Sequence, residues 1–388
     1  MSLKDQADRL LSRATAAGEV PGVAALATDR EGTLYEGAFG VRALGQPAPM
    51  TVDTVAWIAS MTKALTGTAV MQLVERGKLD LDSPATRWVP ELGANRVLEG
   101  FDAAGAPRLR PPRRPITLRH LLTHTAGFGY ETWNEPILRY QERTGLPPLG
   151  TGKLAALGAP LLFDPGERWN YGIAIDWAGR IVEAVSGQTL GAYLTEHVCG
   201  PLGMRDTGYR LTPALRARLA KVHQRDAAGT LVATEREQPQ DPEFENGGGG
   251  LYSTARDYLA FVRMILNRGA AGGARVLKPE TVDLMGRDHL GDTPVTALKT
   301  CLPERSNDAE FFPGLPKRWG LTFMINLERA PTGRSPGSLA WAGLGNTYFW
   351  IDPARGIGGV FVTQILPFVD RKALPLYYAF ERAVYDAG

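Results

Sequence analysis

Thr54-Val55-Ala56-Trp57-Ile58-Ala59-Ser60-Met61-Thr62-Lys63 runs directly into Ala64-Leu65-Thr66-Gly67-Thr68-Ala69-Val70-Met71-Gln72-Leu73-Val74. The first part, Thr54 to Ile58, is rich in β-formers. The second carries Ala69, Val70, Leu73 and Val74 at helical spacing until Gly77. The join predicts a strand that turns into a helix, with Ser60 and Lys63 in the first turn. Positions i and i+3 share a helix face, so the Lys63 amine can lie beside the Ser60 hydroxyl. Backbone N–H groups at a helix start are unpaired within the helix and sit at the positive end of its dipole, which favours a nearby oxyanion. A serine hydroxyl needs a base, and a lysine serves only when burial or a neighbouring cation lowers its pKa. Ser60-x-x-Lys63 alone is weak, because about one such match is expected by chance in a chain this long. A capping serine followed by a solvated lysine would read the same way.

Working outward, residues 3–17 predict an amphipathic helix with Leu10, Leu11 and Ala14 on one side. Val20 to Thr28 and Thr33 to Val41, separated by Asp29-Arg30-Glu31-Gly32, predict a β-hairpin. From Pro84 to about Ser186 the pattern is mostly helical, broken by Pro-rich loops. Strands are expected again at 320–327, 339–341, 347–351 and 358–366, with a final helix over about 371–385. Strands at both chain ends with helices between them predict an α/β (α+β) fold. Both ends form one central antiparallel sheet flanked by helices, with a mainly helical domain inserted. The division expected is 1–78 with 235–388 as the sheet domain and 79–234 as the helical one, the site lying between them. The stretch 291–318 has no periodicity and predicts a long loop of the kind that edges binding sites.

The chain's 388 residues are 44% hydrophobic, enough for a sizeable core. Lys and Arg number 43 against 41 Asp and Glu, a net charge of +2 that gives no electrostatic case for nucleic acid or an anionic membrane. Lys4, Asp5, Asp8, Arg9 and Arg13 occupy the place where a signal peptide would be apolar, and no apolar run reaches 18 residues. These features read as a cytoplasmic chain without a membrane span. Cys199 and Cys301, far apart, read as two buried free thiols.

Two further pieces bear on Ser60. Tyr171 precedes a helix with the apolar face Ile173, Trp177, Ile181 and Val185, ending at Gly187. A tyrosine beside a lysine can relay a proton, since a cation favours phenolate, although a packed aromatic is the commoner role. Trp341-Ala342-Gly343 lies on an expected strand. Its glycine allows close backbone approach, and the following Leu344 N–H could complete an oxyanion hole.

With these pieces in order, the chain resembles the S-x-x-K superfamily of penicillin-binding proteins and class C β-lactamases. It is similar above all to the β-lactamase-fold esterases called family VIII carboxylesterases. Besides Ser60-x-x-Lys63, the resemblance rests on His120-Leu121-Leu122-Thr123-His124-Thr125-Ala126-Gly127, Phe163-x-Pro165-Gly166, Tyr171 and Pro201-Leu202-Gly203-Met204-Arg205-Asp206-Thr207. It continues through Gly247-Gly248-Gly249-Gly250-Leu251-Tyr252-Ser253-Thr254 to Trp341-Ala342-Gly343. It implies that Ser60 attacks a carbonyl, that Lys63 and Tyr171 share acid and base work, and that the Ser60 and Leu344 N–H groups hold the oxyanion. Two departures matter. Trp341-Ala342-Gly343 stands where β-lactamases and peptidases have Lys-Thr-Gly, which grips a carboxylate. Ile173 stands where Tyr-x-Asn has the asparagine that contacts a substrate amide. Both changes imply small neutral esters as substrates, with Trp341, Ala342, Gly343 and Ile173 shaping the pocket, and no cofactor or metal. The same acyl-enzyme could instead serve an acyltransferase, or a β-lactamase or D-Ala-D-Ala peptidase. A sensor or assembly protein could keep the fold without turnover.

Other signals are set aside. Gly333-Arg334-Ser335-Pro336-Gly337 matches a nucleophile elbow but leads into a strand, not a helix. His120 and His124 lack the intervening glutamate of a zinc motif and read as structural, hydrogen-bonding histidines. The arginines at 108, 110, 113, 114 and 119 read as a solvated loop. Asp176 fits either a site partner or a surface helix position.

Overall fold

The computed structural model describes residues 2–387. Its long helices are α1 (Leu3–Ala16), α2 (Thr62–Glu75), α3 (Ala174–Ser186), α4 (Ala255–Leu266) and α5 (Ala373–Asp386); α1, α4 and α5 cover one large sheet, and α3 packs on α2. The strands are β1 (Gly22–Thr28), β2 (Thr33–Gly40), β3 (Lys317–Trp319), β4 (Met324–Asn326), β5 (Leu339–Gly343), β6 (Thr347–Asp352) and β7 (Ile357–Val362). Their order across the sheet is β3-β4-β5-β6-β7-β1-β2, antiparallel throughout. The β-lactamase-like α/β architecture expected from the sequence, with both chain ends in one sheet, is the observed one. β1 pairs with β7 on one side and β2 on the other, joining residues more than 300 positions apart.

Side-chain alternation along β6 assigns each face to a different helix. Tyr348 and Trp350 meet Tyr377 and Phe380 of α5, with the Tyr348 and Tyr377 rings stacked at 4.5 Å. Phe349, between them, meets Tyr258 of α4 at 5.2 Å. Because both faces are covered, β6 is buried at every position and reads in sequence as a continuous apolar run. The first hairpin turns where expected: the Asp29 side chain accepts the Glu31 and Gly32 N–H groups at 2.8 and 2.7 Å.

Four expectations need correction. The strand expected over 358–366 ends at Val362, and Ile365–Leu366 pairs in parallel with His223–Gln224 in a separate small sheet. Residues 320–327 are not one strand. The Gly320 N–H donates to the Phe323 carbonyl at 2.8 Å and Thr322 takes φ +78°, so a tight turn separates β3 from β4. Within the helical region, Val97–Phe101 and Pro107–Arg110 form a β-hairpin, which takes Arg108 and Arg110 out of the expected solvated loop. Cys301 is only partly buried, whereas Cys199 is buried; both are free. As expected, 291–318 is largely irregular. Among the described residues no helix is long and apolar enough to cross a membrane.

Candidate active site

Ala56–Trp57 is a short strand paired with Tyr252–Ser253, and it delivers the chain into a single 3₁₀ turn, Ala59–Met61, ahead of α2. Ala59 takes φ +45°, a strained conformation for a residue with a side chain, immediately before Ser60. The turn is held from behind. The Thr347 hydroxyl donates to the Ile58 carbonyl at 3.3 Å, and a Cβ at Gly343 would stand 2.2 Å from that same oxygen. Gly343 is therefore required by the closeness of β5 to the backbone entering the turn.

Lys63 lies one turn into the motif and is fully buried. Its Nζ is 3.1 Å from Ser60 Oγ, 3.1 Å from the Tyr130 hydroxyl and 2.6 Å from the Gly248 carbonyl. It also sits 4.7 Å from the Tyr171 ring centroid. Burial pushes its pKa down, and the nearby Asp176 carboxylate only partly restores it. An ammonium can donate along all three contacts. A neutral amine can donate to Gly248 and Tyr130 and turn its lone pair to the Ser60 hydroxyl.

Tyr171 is buried, hydrogen-bonded with Ser60, and accepts the Trp341 Nε1–H at 2.9 Å. Burial raises its pKa, outweighing the hydrogen bonds from Ser60 and Trp341 that act the other way. The resting group is a phenol, able to donate a proton. Burial also raises Tyr130, with the Asp176 charge adding to it. The sequence reading missed Tyr130. Its one signal was position, three residues beyond the Gly127 that closes the His120–Gly127 motif.

Asp176 belongs to the site rather than the surface. It is buried at the start of α3, its Oδ1 accepts the Gly248 N–H at 2.9 Å, and burial raises its carboxyl while Lys63 pulls it back. His120 is structural as expected, capping the turn from Thr117 through its Nδ1. His124 is not hydrogen-bonded as expected: neither ring nitrogen has a partner among the described residues. It is enclosed by the rings of Tyr171, Trp169 and Trp319, and burial, then Lys63, keep it neutral.

A cavity of about 400 Å³ opens on Ser60, walled by Trp57, Tyr130, Trp133, Leu149 and Leu344 among others. The loop 291–318 contributes Arg305 to it. A larger cavity, about 870 Å³, does not reach Ser60 and holds none of these groups. Of the expected pocket residues, Trp341, Ala342, Gly343 and Ile173 do not line the Ser60 cavity. Trp341 is turned into the aromatic packing, 4.6 Å from Trp319 and bonded to Tyr171; Ala342 and Gly343 are buried in β5; Ile173 is buried where α3 begins. Only Leu344, the next residue, reaches the cavity. Ser335 of the G-x-S-x-G match lies in the loop between β4 and β5, its amide bound to Asp352. Among the described residues no group of three or more His, Cys, Asp or Glu is placed to hold a metal ion.

A match to the family described as "Beta-lactamase" spans residues 7–383. The chain is 35% identical to monacolin J acid methylbutanoyltransferase of Aspergillus terreus, over 96% of this chain and 93% of that one. It is 33% identical to lovastatin esterase of Penicillium rubens, over 97% of each chain. The solved structure of unliganded simvastatin synthase from Aspergillus terreus superposes with a TM-score of 0.86 at 34% identity, covering 98% of this chain and 97% of that one. The fold and these likenesses across nearly the whole chain place it in the beta-lactamase family.

Proposed function

We propose that this chain is a serine acyltransferase with esterase activity, moving a compact acyl group through an acyl-enzyme on Ser60. The observation that carries the reading is the buried, desolvated Lys63 within 3.1 Å of Ser60 Oγ, at the floor of a cavity sized for a small organic ester. Neutral Lys63 takes the Ser60 proton as Oγ attacks the ester carbonyl. The backbone N–H groups of Ser60 and Leu344 hold the resulting oxyanion. Collapse breaks the bond to the leaving oxygen, which is protonated by the Tyr171 phenol. Tyr171 recovers from Lys63 the proton that Lys63 took from Ser60, leaving the acyl group on Ser60. An alcohol then enters, loses its proton to the same pair and carries the acyl group away. Water in its place gives the acid. Relatives named for methylbutanoyl transfer and for ester hydrolysis support both outcomes, and acyl transfer is the reading that more of them favour. Trp341-Ala342-Gly343 argues against β-lactam or peptide substrates, because it leaves no lysine or threonine to anchor a carboxylate from β5.

Turnover of 4-nitrophenyl butyrate with and without added alcohols, followed by product analysis, tests this reading. Wild type is expected to form butyrate esters of the alcohols, with free butyrate when none is present. Ser60→Ala is expected to lose at least about a thousandfold in kcat, and intact mass spectrometry should find the acyl adduct on wild type only. Undiminished turnover by Ser60→Ala would sink the assignment, and butyrate as the only product at every alcohol concentration would reduce it to a hydrolase.

A further inference from the structure

The Ser60 cavity has four charged residues in its wall: Glu131, Arg236, Glu237 and Arg305. Three of them are already committed. Arg305 donates to the Glu131 carboxylate at 2.6 Å. Both Glu237 oxygens accept from Arg216, at 2.7 and 2.8 Å. Arg236 is left with no carboxylate partner among the described residues. Its guanidinium carbon lies 5.5 Å over the ring of Trp57, and that ring is itself fixed by its Nε1–H donating to the Gly249 carbonyl at 2.7 Å. A guanidinium laid on a fixed indole keeps its edge N–H donors free.

We infer that the substrate accepted at Ser60 carries a carboxylate, held by the Arg236 guanidinium at the cavity wall. This rests on the acyl-enzyme reading above and adds the substrate class. The paired charges cancel, so the wall presents one uncompensated positive charge, which a singly charged group neutralises. The guanidinium fork matches the two oxygens of a carboxylate. A dianionic phosphate would leave one negative charge unmatched. Arg236 is exposed to solvent at this wall, so its charge is open to a ligand entering the cavity. The absence of Lys-Thr-Gly at 341–343 led the sequence to predict neutral esters. The cavity supplies a carboxylate anchor from a different segment, the one following Thr234.

Two matched probe pairs test it. On the acyl side, 4-nitrophenyl hydrogen glutarate is compared with its neutral methyl ester. On the alcohol side, 6-hydroxyhexanoate is compared with its methyl ester as acceptor from 4-nitrophenyl butyrate. In at least one pair the charged member is expected to be preferred about tenfold in kcat/KM. Arg236→Gln is expected to bring that ratio within about twofold of unity, and Arg236→Lys to keep part of it because charge survives without the fork. Thermal melting of both variants checks that they fold. No preference in either pair, or a preference that survives in folded Arg236→Gln, overturns the inference. The neutral probes keep the two readings apart: Ser60-dependent turnover of them without charge preference sinks only the carboxylate, whereas absence of any Ser60-dependent turnover sinks the acyl-enzyme reading itself.

Discussion

The chemistry proposed at Ser60 turns on whether Lys63 can be neutral, and four titratable groups face its amine: Tyr130, Tyr171, His124 and Asp176. Three of these are held neutral by burial, so Asp176 is the one that sets the field. It also sets geometry. Asp176 Oδ1 fixes the Gly248 N–H, and the carbonyl of that residue receives the Lys63 proton at 2.6 Å. Nothing larger than glycine fits there, since a Cβ at 248 would lie 2.6 Å from Asp176 Oδ2 and 3.1 Å from the Tyr130 oxygen. Asp176→Asn keeps an oxygen to accept from Gly248 but removes the charge that raises Lys63. The Lys63 pKa then falls further, and its basic form persists to lower pH. The acidic limb of the kcat/KM profile is therefore expected to move down by on the order of one pH unit. Stopped assays of butyrate ester turnover from pH 4 to 9 would measure it, and an unmoved limb would show that Asp176 is uncharged at rest. This network was only half legible beforehand. Ser60, Lys63 and Tyr171 stand in recognisable motifs, and Asp176 could be singled out by its distance from Tyr171. The Gly248 carbonyl is a backbone group that any residue supplies, and Tyr130 is one loop tyrosine among 12 in the chain. No side-chain pattern marks either.

Among the elements, the hairpin at 97–110 is the least legible. Pro107, Arg108 and Arg110 obscure a strand pattern whose outer face is polar, and its pairing depends on a partner outside itself. That partner is Asp164, in the Phe163-x-Pro165-Gly166 turn just ahead of Tyr171. Its buried carboxylate accepts two bonds from Arg110, at 2.9 and 2.7 Å, and the Arg113 N–H at 2.7 Å. Arg110 above all holds the Asp164 carboxyl down to about 2, from 3.8. Because the folded value lies below the unfolded one, this stabilisation is complete above pH about 4 and is lost as pH falls toward 2. Asp164→Asn is expected to cost about 1 kcal/mol at pH 7, a figure held low because Arg110 is partly open to solvent. Urea denaturation at pH 7 and pH 3 would measure the cost. The gap between wild type and variant should narrow at the lower pH; a gap of equal size at both would mean that packing, not the ion pair, ties the hairpin to the turn. The sheet strands were easier to find because burial on both faces leaves long apolar runs, though it also hides where a run such as 320–327 breaks.

At the scale of the whole molecule, the chain ends cannot fold separately, because β1 fills the gap between β7 and β2 while α1 packs on α5. The segment between them, residues 79–234, is the proposed second unit, and the question is whether it is a domain in the energetic sense. Its longest helix, α3, packs against α2, which belongs to the sheet unit. Ile175, Ala178, Ile181 and Val182 on α3 are all buried, and the fit is close: a Cβ at Gly247, outside the segment, would lie 3.0 Å from the Ile175 carbonyl. Cutting at 79 and 234 would expose part of that face and leave the Asp176 carboxyl without the Gly248 N–H it accepts. Isolated residues 79–234 are accordingly expected to show no cooperative urea transition and no ordered near-ultraviolet circular dichroism, while the full chain unfolds in a single transition. The consequence reaches the chemistry. Tyr130, Tyr171 and Asp176 come from the inserted segment, and Ser60, Lys63 and Gly248 from the sheet unit, so one folding event assembles them all. Should the fragment unfold cooperatively on its own, the two halves of the site would be able to separate without unfolding, and catalysis should then fail at lower urea than the far-ultraviolet signal does.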